Sequence, residues 1–112
     1  MHNLLIDEYP LIVLPSLAKE IGLNESILLQ QIHYWVRKEQ NYEDGRYWVY
    51  NTYEGWATQF PFWSVSTIRR IIKKLEDNEL IITGNYNRMG IDNTKWYTIN
   101  YDVIKGISRG RD

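Results

Sequence analysis

Residues 64–74 concentrate side chains that can bind phosphate groups or the edges of nucleic-acid bases. Arginine presents a planar fork that suits guanine edges and phosphate oxygens, whereas lysine acts as a mobile point charge for phosphate. Hydroxyl groups near a helix N-terminus can donate to phosphate, where free backbone N–H groups already favour anions. The candidates in this segment are Ser64, Ser66, Thr67, Arg69, Arg70, Lys73 and Lys74.

These side chains must lie on one helix face to act together, and the sequence predicts such a helix over 65–78, capped by Ser64. At about 100° per residue, Val65, three isoleucines and Leu75 form one apolar arc. The cations and Ser66 occupy the opposite arc, and no acid interrupts it before Glu76. We expect Arg70 and Ser66 nearest the bases and the other cations mainly on phosphates. An ordinary solvated surface helix would show the same pattern, so the alternative stays open.

The surrounding elements predict an α+β fold, the winged helix-turn-helix, as a single domain over 1–112. In such a fold the second helix of the pair enters the major groove and the first braces it across the backbone. Arg88 and Lys95 flank the predicted wing and could contact the minor groove or the DNA backbone. Residues 1–14 are interpreted as an extended arm and 105–112 as a tail or the start of a linker. The predicted helices are 16–21, 25–38, 52–60 and 65–78, and the predicted strands are 46–50, 80–83 and 95–101.

Composition and charge limit the classes of partner and the cellular location that the sequence allows. The net charge is −1, but residues 1–44 carry three basic and seven acidic residues, whereas 45–112 carry ten basic and seven acidic ones. This asymmetry favours a basic face on an acidic support, although unevenly distributed solubilising charge explains it equally well. The chain has no cysteine, and no apolar run approaches the roughly 18 to 20 residues of a membrane span. We therefore expect a cytoplasmic protein that does not enter membranes.

Other chemistries find little support in the sequence. His2 and His33 lack neighbours at metal-ligand spacing, and without cysteine a transition-metal site is not expected. The loop 84–90 lacks the ending of a phosphate-binding loop, and 92–94 supplies too few ligands for calcium. No nucleophile, histidine and acid form an arguable group. We expect neither an enzyme nor a cofactor.

The aromatic content is high, with five tryptophans and nine tyrosines. Trp35, Trp56 and Trp96 are predicted on core-facing positions, whereas Trp63 and Tyr86 could equally pack internally, stack on single strands or meet a protein partner. The apolar arm could pair with a neighbouring copy, so a homodimer is a further expectation.

Six blocks of the sequence carry a resemblance to a known family. They include FPFWS at 60–64 and TKWY at 94–97. The sequence strongly resembles the N-terminal winged-helix domain of replication initiators and DnaD-like replisome organisers from phages, plasmids and integrated elements of low-GC Gram-positive bacteria. The likeness extends over about residues 11–104. The blocks are 23–25, 30–35, 51–56, 60–64, 67–76 and 94–101.

The resemblance implies binding of double-stranded DNA at an origin, or loading of the replication machinery with replisome proteins as partners. Members usually carry a further C-terminal region, so the chain is interpreted either as one domain of a longer protein or as a short stand-alone relative. For a stand-alone relative, simple DNA binding, including a transcriptional role, remains open. Related domains also use this fold for self-association, which keeps a protein-interaction module as the alternative.

Overall fold

The computed structural model describes residues 10–87 and 94–109, with side chains to residue 107. Within these ranges the chain forms five helices and a four-stranded antiparallel sheet, an α+β arrangement that is compatible with a winged helix. The elements in chain order are α1 Pro15–Ile21, α2 Leu23–Val36, β1 Asn41–Glu43, β2 Arg46–Asn51, α3 Tyr53–Gln59, α4 Val65–Asp77, β3 Ile81–Gly84, β4 Lys95–Ile99 and α5 Tyr101–Arg109.

The sheet has the strand order β1-β2-β4-β3, in which β4 lies between β2 and β3. Val49 of β2 is opposite Tyr97 of β4, and Tyr97 is in turn opposite Thr83 of β3. Because side chains alternate along a strand, the odd-numbered residues of these three strands share the face that meets the helices. Lys95 belongs to this set, which directs its side chain toward α3 and α4 rather than away from them.

The core lies between this sheet face and helices α2, α3 and α4. The apolar arc predicted for α4 is buried, since Ile68, Ile71, Ile72 and Leu75 expose at most 1% of their surface. Trp56 of α3, which is fully buried, packs edge-on against Tyr97 with ring centroids 5.8 Å apart. Burial of this extent, at roughly 25 cal/mol per Å² of apolar area, anchors α4 along its whole length.

The opposite face of the sheet carries a second, aromatic cluster made of Trp48, Tyr50, Tyr86 and Trp96. Tyr86 lies edge-on to both tryptophans, with centroid distances of 5.1 and 5.3 Å, and its hydroxyl bonds to Asp44. Trp96 therefore packs on the outer face, and its prediction as a residue of the main core is wrong. The alternation along a strand shows which residues share a face of the sheet, but it does not show which face meets the helices when both faces carry large aromatic side chains.

The local reason for Tyr86's position is the chain that follows β3. Asn87 donates to the carbonyl of Thr94 at 2.7 Å and accepts from the Trp96 indole at 2.9 Å, so this segment folds onto the sheet. Tyr86 is thus an internally packed residue among the described neighbours. The hydrogen bond to Asp44 is the first cause that raises the pKa of Tyr86, followed by desolvation and the nearby acids, while Arg46 opposes the shift.

Two predicted boundaries around α3 and α2 shift for local reasons. Thr52, rather than Asn51, caps α3 by accepting from the Gly55 N–H at 2.9 Å, while Asn51 accepts from the Thr52 N–H. A Cβ at residue 55 would lie 1.9 Å from the side-chain amide oxygen of Asn51, so a larger residue there would displace the Asn51 side chain. Gly22, at φ +107°, connects α1 directly to α2, which begins at Leu23 without the predicted Asn24 cap.

Two expectations for the strands are corrected, and part of the predicted arm is described. The segment predicted as a turn at 41–45 contributes β1, which pairs with β2 through Asn41 and Trp48. The predicted strand 95–101 ends at Ile99, and helix α5 follows over Tyr101–Arg109. Within the predicted arm, residues 10–14 form neither helix nor strand, and 1–9 lie outside the described residues.

Within 10–87 and 94–109, none of the helices combines the length and the apolar character needed to cross a membrane.

Candidate nucleic-acid interface

The polar face of α4 is directed away from the core, as the helix periodicity predicts. The side chains of Ser66, Arg69, Arg70, Lys73 and Lys74 are all exposed. The isoleucines on the opposite side fix the rotation of the helix about its axis. Five groups that can donate to phosphates or bases therefore project together from one anchored helix.

Ser64 and Thr67 have structural duties at the beginning of α4. The Ser64 hydroxyl accepts from the Thr67 N–H at 3.1 Å, which confirms the predicted N-cap, and it lies 3.0 Å from the Thr67 hydroxyl. A serine cap of this kind stabilises a helix by about 1 kcal/mol. The two hydroxyls thus already have a partner in each other, whereas that of Ser66 is exposed one residue away.

The turn between α3 and α4 is held by aromatic packing. Phe60 is fully buried, and Trp63 packs against it with ring centroids 4.8 Å apart. Phe62 follows Pro61 and remains largely exposed, although its ring contacts both neighbours edge-on. The sequence did not decide whether Trp63 packs internally or meets a partner. In the structure it is half-buried against the core and positions α4 relative to α3.

The cations of α4 differ in their electrostatic partners. Within the described part of the chain, Arg70 makes no hydrogen bond or ion pair. Lys73 lies 3.3 Å from Asp77, with both side chains mainly exposed at 75% and 62%. Lys74 lies 3.6 Å from Glu25 of α2, whose side chain is only 14% exposed. Exposed pairs contribute little to stability, so Lys73 can leave Asp77 for a phosphate at low cost.

A row of four side chains connects Arg69 to the end of α4. The Arg69 guanidinium lies over the Tyr53 ring at 5.0 Å from its centroid. The Tyr53 hydroxyl accepts from the Lys95 ammonium at 3.3 Å, and the same ammonium lies 3.3 Å from a Glu76 carboxylate oxygen. Lys95 and Glu76 are only 33% and 34% exposed, so this pair is better shielded from solvent than Lys73–Asp77.

Sequence reasoning missed Tyr53, Glu76 and Glu25 as parts of this site. Glu76 had a usable signal, because it lies seven residues after Arg69 and hence on the same side of the helix. Tyr53 and Glu25 come from other elements, and only their packing shows that they reach α4. Of the predicted contacts near the wing, Lys95 is near α4 and Arg88 lies outside the described residues.

Outside the exposed face of α4, burial shifts the pKa values of His33 and Tyr97. Burial, and secondarily Arg37, lowers the pKa of His33, whose Nδ1 lies 2.9 Å from the Tyr101 hydroxyl. Burial raises the pKa of Tyr97, whose hydroxyl and the Trp56 indole nitrogen have no hydrogen-bond partner among the described residues. No group of three or more potential metal ligands occurs in the described ranges.

In the comparisons with known proteins, no family model matches the sequence, and no curated protein or solved structure matches the chain.

Proposed function

We propose that the chain is a winged helix-turn-helix domain that binds double-stranded DNA in the cytoplasm and acts, without enzymatic activity, in replication initiation. The observation that carries the proposal is the exposed face of α4, where Ser66 and four cations project opposite a buried isoleucine row. A helix of this kind, held by a second helix across a short turn, has the form that fits a major groove. The replication role rests on the sequence resemblance alone.

The charges set the expected strength of binding. A single domain with a net charge of −1 neutralises few phosphates, and phosphate contacts supply most of the affinity for non-specific DNA. We therefore expect dissociation constants on the order of micromolar or weaker at physiological salt. Tighter binding would need a second copy or a second domain, through the gain in effective concentration.

Fluorescence anisotropy with a labelled duplex at two salt concentrations tests the proposal. Affinity should fall steeply with salt, and the double variant Arg70→Ala, Lys73→Ala should bind more weakly with a shallower salt dependence. The matched control is Lys19→Ala, Lys105→Ala, which removes the same charge from exposed positions on α1 and α5. Equal losses in both double variants, or a salt-independent signal, would contradict binding through α4.

A protein-interaction module is the second candidate, and the apolar surface near α1 favours it. Residues 11–14 are exposed and lie outside helices and strands, and Leu14 reaches a groove of about 440 Å³ that α1, α2 and α5 line mainly with apolar side chains. Exposed apolar patches of this kind often mark protein partners, including a second copy. Light scattering after size exclusion tests self-association, and an unchanged mass after deletion of residues 1–10 would contradict an arm-mediated homodimer.

A further inference from the structure

Tyr53 occupies the junction of three elements around the candidate interface. It is the first residue of α3 and directly follows Thr52, the N-cap of the helix, which itself follows the last residue of β2. Its half-buried ring has the Arg69 guanidinium 5.0 Å and the Lys95 ammonium 5.6 Å from the centroid. Both cations lie within the distance at which a ring quadrupole attracts them.

The ring restrains Arg69 without neutralising it. Lys73 and Lys74 each lie beside a carboxylate, and a phosphate must compete with it, weakly at the exposed Asp77 and more strongly at the shielded Glu25. Arg69 instead lies over a neutral ring, which leaves its full charge and its donor fork available. A free arginine loses rotamer entropy on binding, and a cation–π contact made beforehand reduces that loss.

The ring itself is held by the Lys95–Glu76 pair. Lys95 donates to the Tyr53 hydroxyl and to Glu76, and Glu76 also accepts from the Thr83 hydroxyl at 3.1 Å. These contacts connect α3, the end of α4, β3 and β4 around the one aromatic ring. A shift of Tyr53 would have to break at least one of them.

We propose that Tyr53 is a positioning residue, which aims Arg69 of α4 at the DNA, and that Lys95 acts through Tyr53 rather than as a phosphate contact. This inference rests on the proposed function, because it assigns roles within the same interface. It changes the role expected for Lys95 from the sequence, where its place beside the wing suggested direct contact with DNA.

The geometry is tested first on the free protein, without DNA. Aromatic rings shift the NMR resonances of groups above them, so the Arg69 Nε–H and side-chain methylene signals should be displaced in the native chain and in Tyr53→Phe. They should return to ordinary values in Tyr53→Leu, which removes the ring. Undisplaced native signals, or signals unchanged in Tyr53→Leu, would overturn the inference whatever the affinity for DNA.

Duplex binding then tests the function of the contact. Tyr53→Leu should weaken binding about fivefold, equivalent to about 1 kcal/mol at 25 °C, whereas Tyr53→Phe should keep most of the affinity. In an Arg69→Ala background, Tyr53→Leu should have little further effect, because its role is exerted through Arg69. Tyr42→Leu is the matched control, since it removes an exposed tyrosine from β1.

The outcomes separate the two proposals. Additive losses in Tyr53→Leu and Arg69→Ala would show that Tyr53 does not act through Arg69, and would overturn the inference while DNA binding stands. A native chain that shows the ring shift but no affinity for duplex DNA would refute the proposed function and with it the positioning role. Thermal unfolding of each variant identifies losses that come from misfolding. If Tyr53→Leu does not fold, the Arg69 signals of the native chain still test the inference, because undisplaced signals would overturn it.

Discussion

The two ends of the exposed face of α4 carry the same number of cations but differ in what holds them. In the first half, Arg69 lies over a neutral ring and Arg70 has no partner among the described residues. In the second half, Lys73 and Lys74 lie beside Asp77 and Glu25. The count of positive charges is therefore a poor guide to their availability. A groove-bound helix would use its first half more, where its N-terminus also favours anions.

The largest expected effect is on the free energy of unfolding, and it concerns the buried apolar row that anchors both halves of α4. Ile68→Ala should lower the free energy of unfolding by about 2–4 kcal/mol, because it leaves a cavity beneath the first half of the helix. Chemical denaturation measures this. Val65→Ala is the control at the margin of the same face, and its half-exposed side chain should cost clearly less. Equal costs would mean that α4 is not anchored where its buried row indicates.

The second prediction compares the two halves directly. The double variant Arg69→Ala, Arg70→Ala should weaken duplex binding at least about tenfold, and Lys73→Ala, Lys74→Ala only about threefold, although both remove two charges. Lys74 must leave the shielded Glu25 carboxylate to bind a phosphate, whereas Lys73 leaves the exposed Asp77 at little cost. The arginines also lie nearer the helix N-terminus, which favours anions. Anisotropy titrations at one salt concentration measure the ratio. Equal losses would remove the distinction between the halves.

The third prediction concerns a variant that frees a cation in the second half of α4 from its acidic partner. Glu25→Gln removes the carboxylate beside Lys74 and should raise duplex affinity about twofold, because that cation becomes available. Glu39→Gln is the control for the loss of a negative charge at an exposed position remote from this pair. If both variants bind equally, the gain comes from net charge and the Lys74–Glu25 contact does not limit binding.

The smallest effect lies away from α4, at the contact between α2 and α5. The pKa of His33 is lowered in the folded state by burial and then by Arg37, so the unfolded chain takes up the proton first as pH falls. This contribution to stability is complete above the ordinary value of about 6.5 and is lost as pH falls below it. Urea unfolding at pH 7.5 and 5.5 should show a smaller decrease for His33→Gln. A decrease identical to that of the native chain would exclude His33.

The parts of the fold that the sequence predicts well are those with a strong local period. Helix α4 repeats apolar residues at three- and four-residue steps over 13 residues, and its bounds and both faces follow from that pattern. The three-residue strand β1 is too short to show such a period. Helix α5 has one, since Val103, Ile104 and Ile107 follow helical spacing, but the prediction extends the preceding strand through Tyr101 and does not use this signal. Strand β1 consists of polar and aromatic residues beside a turn, and α5 continues directly from β4 with one intervening residue.

The candidate site divides in the same way. Which side chains of α4 face outward is a local property, because helical geometry and the isoleucine spacing determine it. Whether each outward cation is free, paired with an acid or held over a ring depends on Glu25, Tyr53 and Lys95, which come from α2, α3 and β4. No pattern along the sequence predicts those contacts between separate elements. The amino-acid order thus determined the amphipathic helix, and only the tertiary packing decided which of its charges remain available.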